Sequence, residues 1–402
     1  MSRTQALHRW RSVDAGPPTD LLRALPDPAG YAWIHGGHGL VAWGTAAGIE
    51  VQRTPHRFEA AARDLSAVFD GVDRSDGAVP LALASFAFDP LGQSELVIPG
   101  AVLRSYAGGS RIDFAGEAAP QLNGSTLPSE VPRIRYAGST VSELNWIEAV
   151  DSAVAEIGNG DLDKVVLARD LLVWAKGPFD RRLLAARLSA RFPECFTFAF
   201  GPLVGATPEL LVRRAGSSVE SLVLAGSAPR AGDEAEDVEL GAELLESAKD
   251  VREHRFSVES VTDVLDDVCS EVSTEGPFLM KLANVQHIAT RVTGTARGEQ
   301  SALEIAGLLH PTAAVCGAPR AAAMDTIRRL EGMDRGRYSG PVGWVDADGD
   351  GEFGIALRCA EVDGTRARLF AGSGIVADSR PEAELEETRL KLRAMQGALS
   401  GS

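Results

Sequence analysis

Two acidic clusters on predicted helices carry side chains that could do chemistry. Glu384, Glu387 and Lys391 are spaced i, i+3 and i+7, so they share one face of the last predicted helix. Asp250 and Glu253 are three residues apart in "KDVREH" on an earlier helix. An exposed helix start explains either cluster alone, because the positive dipole end favours acidic residues. If the fold brings the two faces together, their carboxylates could hold magnesium, which leaves positions for water and an anionic substrate.

The stretch "DADGDGEFG" at residues 346–354 suggests a second metal chemistry. Its aspartates alternate as at the start of an EF-hand calcium loop, which also needs a bidentate carboxylate at its twelfth position and flanking helices. The twelfth position is Leu357, and the residues after Gly351 alternate in the manner of a strand. The sequence therefore predicts a tight Asp/Gly turn between two strands, and the alternative of a calcium-binding module rests on this stretch alone.

The elements that would position these groups differ between the two parts of the chain. Residues 30–115 carry short strand-like runs broken by glycine and proline, with one helix near "RFEAAARDLSAVF". A polar stretch at 116–133 is typical of a long surface connection. From residue 134 onward, helices alternate with strands such as "DKVVLARDLLVWA" and "CFTFAFG".

Two helices of the second part are predicted in more detail. A long helix is expected around residues 236–270, with a buried stripe at three- and four-residue steps. This stripe consists of Val251, His254, Val258, Val261, Leu265 and Val268. The last helix is expected at "SRPEAELEETRLKLRAMQGAL", with Ser379 as its cap and Pro381 near its first turn.

The composition is that of a globular protein without special bias. The 402 residues, 45% hydrophobic and 24% charged, can form one large domain or several smaller ones. A formal net charge of −16 disfavours nucleic acid or an anionic membrane as a partner. The four cysteines are widely spaced in apolar contexts, which favours buried reduced thiols. Without an apolar leader or a membrane-spanning run, the sequence predicts a cytoplasmic protein.

Several segments rich in glycine or small residues stand where predicted strands end, and backbone amides can approach an anion there. Turn geometry explains any one of them, but their combination is specific. In order, the motifs read "DKVVLAR", "GATPELL", "LAGSAPR", "LLESAKDVREH", "VQH", "LHPTAAVCGAP", "DRGRYSGPVG", "GDGEFGIALR" and "AGSGIVADSRPEAELEETRLK". Together they closely resemble the chorismate-utilising enzymes over residues 140–400. The earlier "ASFAFDP" and "LVIPGAVL" more weakly resemble the isochorismate synthases in particular.

The resemblance implies an α/β fold like that of anthranilate and aminodeoxychorismate synthases. In that fold, two related sheet-and-helix halves form one large domain and enclose a magnesium–chorismate site. Residues 1–133 are then expected to be the N-terminal, mostly sheet part of this fold, and residues 134–402 the chorismate-binding catalytic region. A monomer with chorismate as its small-molecule partner fits the family.

The resemblance also implies roles for individual residues. Glu253 and Glu387 match the ligands of Mg²⁺, with Asp250 and Glu384 as their water-bridging neighbours. Arg358 matches the arginine that binds a substrate carboxylate, a task suited to a planar guanidinium. The other positions that match the substrate site are His287, Ala314, Tyr338, Gly372, Gly374 and Lys391. A buried histidine with a purely structural role remains the alternative for His287.

Four positions bear on which reaction the family member performs. Lys164 stands where the amine-adding members have glutamine, and a lysine of lowered pKa can take a proton from water. Glu209 matches the general acid that protonates the departing C4 hydroxyl. Ala225 replaces the nucleophilic lysine typical of aminodeoxychorismate synthases. Ala314 lacks the hydroxyl that is associated with pyruvate elimination.

These positions imply isochorismate synthase activity. The expected reaction is a magnesium-dependent isomerisation, in which water adds at C2 of chorismate and the C4 hydroxyl leaves. The alternative is a salicylate synthase, which shares the base, the acid and the metal and then expels pyruvate. Menaquinone, siderophore and salicylate biosynthesis all consume isochorismate, and the sequence leaves these fates open.

Overall fold

Two β-sheets and the helices packed against them form the part of the chain that this computed structural model describes, which is residues 9–17, 19–25, 30–74, 77–122, 124 and 126–401. The first part of the chain forms β1 (Arg9–Gly16), α1 (Leu21–Ala24), β2 (Tyr31–His35), β3 (His38–Trp43), β4 (Ala47–Ile49), α2 (Arg57–Phe69), β5 (Asp73–Arg74), β6 (Leu81–Ser85), β7 (Glu95–Ile98), β8 (Ala101–Tyr106) and β9 (Gly109–Ala115).

The second part of the chain contains the longer elements. They are β10 (Ile134–Gly138), α3 (Glu143–Asn159), β11 (Lys164–Ala175), α4 (Arg181–Arg191), β12 (Phe196–Phe200), β13 (Leu203–Thr207), β14 (Leu210–Ala215), β15 (Ser218–Pro229), α5 (Glu234–Glu246), α6 (Ala248–Val268), β16 (Cys269–Lys281), β17 (Val285–Ala296), α7 (Ala302–Leu309), β18 (Gly317–Ala318), α8 (Arg320–Leu330), β19 (Pro341–Asp346), β20 (Gly351–Ile355), β21 (Cys359–Asp363), β22 (Arg366–Ile375) and α9 (Pro381–Ser400).

The chain passes repeatedly between the two sheets. The larger sheet has the order β10-β11-β22-β21-β13-β12-β2-β3-β8-β9-β1-β5, with β18 paired to β11, and the smaller has the order β16-β17-β15-β14-β20-β19-β6-β7-β4. Strands from the first part therefore complete both sheets. Two crossovers matter for the site, because the β13–β14 link carries Glu209 and the β20–β21 link carries Arg358. The predicted α/β fold is confirmed, whereas the boundary at residues 133 and 134 stays a prediction.

Hydrophobic packing covers the larger sheet on both faces. One core joins the two sheets, since it contains Phe198 of β12 together with Phe353 of β20. A second core lies on the opposite face and includes Leu188 of α4, Met395 of α9 and Leu369 of β22. Burial of such side chains provides the main driving force for holding these layers together. The strands that carry the site are thereby fixed from both sides.

The predicted turn at residues 346–350 is confirmed as a hairpin between β19 and β20. Asp346 Oδ1 accepts the backbone N–H groups of Asp348 (2.9 Å) and Asp350 (3.0 Å). The carboxylate of Asp348 pairs with Arg74 at 2.5 Å, and that of Asp350 pairs with Arg214 at 3.0 Å. The aspartates thus stabilise the turn and bind it to neighbouring segments.

The prediction of one long helix around 236–270 is wrong, because the segment forms α5 and α6 with a break at Ser247. The backbone of Ser247 is extended, and its side chain accepts the N–H of Asp250, so it caps α6. Val251 was placed in the buried stripe but is 43% exposed. Instead, the second turn of α6 directs Glu253 and His254 toward the strands.

The start of the last helix also differs from its prediction. Ser379 does not cap α9, because Arg380 occupies the N-cap position and Ser379 Oγ accepts the N–H of Val376 at 3.2 Å. Pro381 is the first helical residue, as predicted. Its fixed backbone angle and missing N–H suit that position.

The predicted buried thiols are confirmed, since Cys195, Cys269, Cys316 and Cys359 are all buried and free. The polar stretch between β9 and β10 contains no helix or strand among its described residues, in agreement with a surface connection. None of the described helices has both the length and the apolar character needed to cross a membrane.

Candidate active site

A cavity at the junction of the two sheets collects most of the predicted site residues. Its wall includes Glu209, Glu253, His287, Ala314, Tyr338, Arg358, Gly372, Gly374 and Lys391. Lys164 is fully buried behind this wall. Glu387 adjoins the wall through Lys391, at 2.5 Å. Glu384 adjoins it by accepting the hydroxyl of Ser373, at 2.6 Å. Asp250 lies against Gly226, which is part of the cavity wall. A Cβ atom added to Gly226 would be 3.1 Å from Asp250 Cβ.

Strands β11 and β22 form one side of the cavity. Their antiparallel register places Val166 opposite Gly374. Because side chains alternate along a strand, Lys164 points to the same face as Val166. A Cβ at Gly374 would lie 2.0 Å from Glu253 Oε1 and 3.2 Å from Lys164 Cε. Glycine therefore leaves the space that the Glu253 carboxylate occupies over the strand.

Lys164 lies beneath Glu253 in a site closed to solvent. Its Nζ is 3.3 Å from Glu253 Oε1 and donates to Ser257 Oγ at 3.0 Å. Burial lowers the pKa of Lys164 below its usual value, while Glu253 and Glu209 act in the opposite direction. The result is an amine that gives up its proton more readily than an exposed lysine.

Glu209 lies across the cavity, on the crossover from the larger to the smaller sheet. It is buried, with 4% of its surface exposed. Burial raises the pKa of Glu209 to about 8, although the nearby lysines and Arg358 lower it. The carboxyl is therefore mostly protonated at neutral pH, which is the state required of a general acid.

His287 and Arg358 form a buried pair whose hydrogen bonds define the histidine tautomer. Arg358 Nη2 donates to His287 Nε2 at 3.0 Å, so Nε2 carries no proton. His287 Nδ1 then carries the proton and donates to the carbonyl of Gly226 at 3.1 Å. The hydroxyl oxygen of Ser227 also lies 3.0 Å from His287 Nδ1. Burial lowers the pKa of His287 well below its usual value, and Arg358 adds to the effect. The neutral ring orients the guanidinium.

Arg358 is held in an unusual backbone conformation. Its φ is +47°, in the left-handed region that non-glycine residues rarely adopt. Its side chain is buried, and Nε has no hydrogen-bond partner among the described residues. Such strain is typical of functional sites. Arg358 lines the cavity, and a buried guanidinium with an unpaired donor is suited to binding an anionic group.

Four carboxylates from α6 and α9 meet three lysines beside the cavity. The pairs are Lys164 with Glu253, Lys249 with Glu384, and Lys391 with Glu387. The fourth carboxylate, Asp250, accepts the hydroxyl of Ser247. The two acidic helix faces predicted from the sequence are joined by the pair of Lys249 on α6 and Glu384 on α9.

The carboxylates of this cluster differ in their proton affinity. Burial raises the pKa of Glu384, and the nearby Glu387 adds to the effect. Burial also acts to raise the pKa of Glu387, but Lys391 and Lys249 outweigh it and the pKa lies below its usual value. Burial raises the pKa of Asp250. Within the described residues, no three His, Cys, Asp or Glu side chains are close enough to form a complete metal centre by themselves.

Sequence reasoning missed three residues that hold the site together. Ser257 binds Lys164, Lys249 binds Glu384, and Ser373 donates to Glu384. Helical spacing could have found two of them, because Lys249 and Ser257 lie four residues before and after Glu253 on the same face of α6. Ser373 stands between the two glycines of "AGSG", and only its hydrogen bond in the folded protein shows that its hydroxyl points toward Glu384 of α9.

Residues 117–400 match the family described as chorismate binding enzyme, and the chain belongs to this family. It is 40% identical to isochorismate synthase MenF of Bacillus subtilis over 66% of this chain and 57% of that protein. It is 37% identical to isochorismate synthase DhbC of the same organism over 80% of this chain and 81% of that protein. The menaquinone-specific isochorismate synthase MenF of Escherichia coli has a similar structure, with a TM-score of 0.81, 25% identity and coverage of 97% of this chain and 94% of that one. The predicted enzyme family is confirmed.

Proposed function

We propose that the chain is a magnesium-dependent isochorismate synthase that interconverts chorismate and isochorismate. The observation that carries this proposal is the pair of buried groups of opposite function on two sides of one cavity, Lys164 and Glu209. The relatives reported above are named isochorismate synthases, which bears out the predicted activity and does not favour the salicylate synthase alternative.

The substrate would be held through its carboxylates. Chorismate is a dianion, and Arg358 offers an unpaired Nε–H in the wall of the cavity. Lys391 also lines the cavity and donates to the carbonyl of Gly372 at 3.0 Å, which fixes its ammonium against β22. Two fixed cations in a largely buried site bind an anion more strongly than the same groups in water. His287 Nε2 accepts a hydrogen bond from Arg358, and the Nδ1 proton is bound to the carbonyl of Gly226. His287 therefore positions Arg358 and gives no proton to the substrate.

The two buried titratable groups would then exchange protons with the substrate. Lys164, as the neutral amine, takes a proton from water while the water oxygen bonds to C2. Both ring double bonds shift, the C4–O bond breaks, and Glu209 gives its proton to the departing hydroxyl. One water is added and one is released, so the reaction is an isomerisation. Since bonds of the same kind form and break, it should be reversible.

The acidic cluster fits magnesium by its donor set. Carboxylate oxygens are the ligands that Mg²⁺ prefers, and it binds through one or two of them while keeping several waters. The structure also keeps space for these carboxylates, because Gly374 and Gly226 leave room for Glu253 and Asp250. Glu253 and Glu387 would hold the ion, with Asp250 and Glu384 bound through water. When bound, the ion would neutralise charge on a substrate carboxylate and help to position it.

Replacing Glu253 or Glu387 with glutamine should weaken Mg²⁺ binding and remove magnesium-dependent turnover. Loss of an outer-shell partner already costs about 10–100-fold in metal affinity, so loss of a direct ligand should cost at least that much. Isothermal titration with MgCl2 measures the effect. Glu382→Gln, in the exposed first turn of α9, is the matched control. Activity of Glu387→Gln that survives thorough chelation would contradict the proposal.

Gly374→Ala should lower kcat/KM by about 10²-fold, because the new Cβ would meet Glu253 Oε1 at 2.0 Å and displace the carboxylate. Gly158→Ala is the control, since no atom lies within 4 Å of its Cβ position in α3. That change should leave kcat/KM unaltered and stabilise the helix by up to about 1 kcal/mol. Steady-state kinetics and thermal unfolding of both variants distinguish a local effect from loss of the fold. Near wild-type activity of Gly374→Ala would show that the position of Glu253 is unimportant.

Ala314→Thr should shift the products toward pyruvate and salicylate. Ala314 lines the cavity, so a threonine hydroxyl there would be offered to the bound isochorismate. Chromatography of the products measures the ratio, with Ala314→Val as the control of similar shape that lacks the hydroxyl. Identical product ratios for the threonine and valine variants would contradict this role of the position.

The proposed reaction is tested by incubating the protein with chorismate and MgCl2 in buffer free of ammonium. Isochorismate should form, and added ammonium should not change the rate, because Lys164 stands where the amine-adding members have glutamine. Aminated product would overturn the assignment. We further propose that the protein is cytoplasmic, since four free buried thiols favour a reducing compartment. We also propose a monomer, which fits the family.

A further inference from the structure

The ammonium of Lys249 lies inside the acidic cluster that the proposed function assigns to magnesium. Its Nζ donates to Glu384 Oε1, and the charges of Glu387 and Glu253 also act on it. Lys249 is in the first turn of α6 and Glu384 in the first turn of α9. This contact therefore joins the two helices that carry the carboxylates. The single positive charge of Lys249 balances part of their negative charge.

Lys249 differs from the other two lysines of the cluster in its access to solvent. The side chain of Lys249 is 25% exposed, whereas that of Lys164 is 0% and that of Lys391 is 13% exposed. Lys391 also has a second partner, the carbonyl of Gly372. Hydrogen bonds thus hold the other two lysines in place. Lys249 can turn its charged end to water without leaving a buried cation unpaired.

Glu384 would stay in place if Lys249 moved away. Its side chain is 1% exposed, and it keeps the hydrogen bond from Ser373 Oγ at 2.6 Å. Glu384 would then be a buried carboxylate in need of a new cation, because an unpaired buried charge is costly. A divalent ion entering between α6 and α9 would supply that cation.

We propose that Lys249 is an internal counter-cation that stabilises the acidic cluster in the metal-free protein and competes with magnesium for it. The proposal rests on the proposed magnesium site. A lysine ammonium and a divalent ion repel each other strongly in a partly buried site. Magnesium must therefore displace Lys249 from Glu384 or bind against its charge. In both cases Lys249 weakens metal binding and strengthens the α6–α9 contact when no metal is bound.

The test is calorimetric titration of the full chain with MgCl2 in the absence of chorismate. Lys249→Met should bind Mg²⁺ about tenfold more tightly than wild type, because one competing positive charge is removed. The metal-free variant should unfold at a lower temperature than wild type, and MgCl2 should raise its Tm by more. Arg252→Met is the matched control, because Arg252 lies three residues further along α6 in an exposed pair with Asp378 at 2.9 Å. Its Mg²⁺ affinity should stay within about twofold of wild type.

Lys249→Gln is a second neutral variant in case the methionine variant folds poorly. If wild type binds Mg²⁺ and both neutral variants bind it equally or more weakly, Lys249 does not compete and this inference fails while the metal site stands. If wild type binds no Mg²⁺ and Glu253→Gln changes nothing, the proposed metal site fails and the inference falls with it. Tighter binding in the neutral variants together with lower metal-free Tm supports the proposal.

Discussion

Lys164→Ala is expected to lower kcat by about 10²–10⁴-fold, the range typical of a lost general base. Lys164 is fully buried, it is 3.3 Å from Glu253, and among the motif residues it is the amine placed to deprotonate water. Lys164→Ala removes the amine that, in the proposed reaction, generates the hydroxide that attacks C2. Initial rates with saturating chorismate and MgCl2 measure the effect.

The effect of Lys164→Ala must be separated from a loss of structure or of metal. Lys176→Ala is the matched control, since Lys176 directly follows the same strand but is exposed, and its rate should be unchanged. Thermal unfolding of Lys164→Ala checks the fold, and titration with MgCl2 checks that its Mg²⁺ affinity equals that of wild type. A folded, metal-binding Lys164→Ala protein within a few-fold of wild-type kcat would show that the base has been misassigned.

Glu209→Gln is expected to lower kcat by a similar factor of about 10²–10⁴. Hydroxide is a poor leaving group, and in the proposed reaction the protonated Glu209 carboxyl supplies the proton that lets the C4 oxygen depart as water. Glutamine keeps the size and the hydrogen-bonding capacity of the side chain but has no acidic proton. The loss should therefore fall on kcat, with KM for chorismate little changed.

Glu194→Gln, at an exposed carboxylate before β12, is the matched control for Glu209→Gln and should behave as wild type. A second comparison is Glu209→Asp, which keeps an acidic proton on a shorter side chain and should recover part of the lost rate. Equal rates for Glu209→Gln and wild type would exclude Glu209 as the proton donor. A large rise in KM without a fall in kcat would place Glu209 in substrate binding.

The sequence was most informative about the acidic faces and the strand ends of the site. Helical spacing alone put Glu384, Glu387 and Lys391 on one face, and the structure places that face beside the cavity. The hairpin at 346–350 followed from the strand-like alternation after Gly351, together with the absence of a twelfth-position carboxylate. Both predictions depend on local periodicity, which a single sequence contains.

Long-range partners could not be predicted in the same way. Lys249 meets Glu384 across 135 residues, and Arg358 meets His287 across 71. Such pairs depend on which helices and crossovers the two sheets bring together, and on the tautomer of a buried histidine. The resemblance to the family named several of these residues, but it did not show that His287 accepts a hydrogen bond from the guanidinium.

Element boundaries were the other weakness of the sequence predictions. The single helix expected around residues 236–270 spans both α5 and α6, yet Ser247 ends α5 and caps α6. Serine is tolerated within helices but favours caps, because its hydroxyl competes for backbone N–H groups. This break matters for the site, since it sets where Lys249, Asp250 and Glu253 emerge.

The central claim is that the enzyme stops at isochorismate, and the most direct test is to measure pyruvate while chorismate is consumed. Purified protein, chorismate and MgCl2 should give a mixture of chorismate and isochorismate, with no pyruvate in a coupled lactate dehydrogenase assay. Ala314 offers no hydroxyl to assist cleavage of the enolpyruvyl ether, and the reversible hydroxyl shift should stop at equilibrium. Pyruvate released in proportion to the chorismate consumed, with salicylate as the aromatic product, would contradict the account.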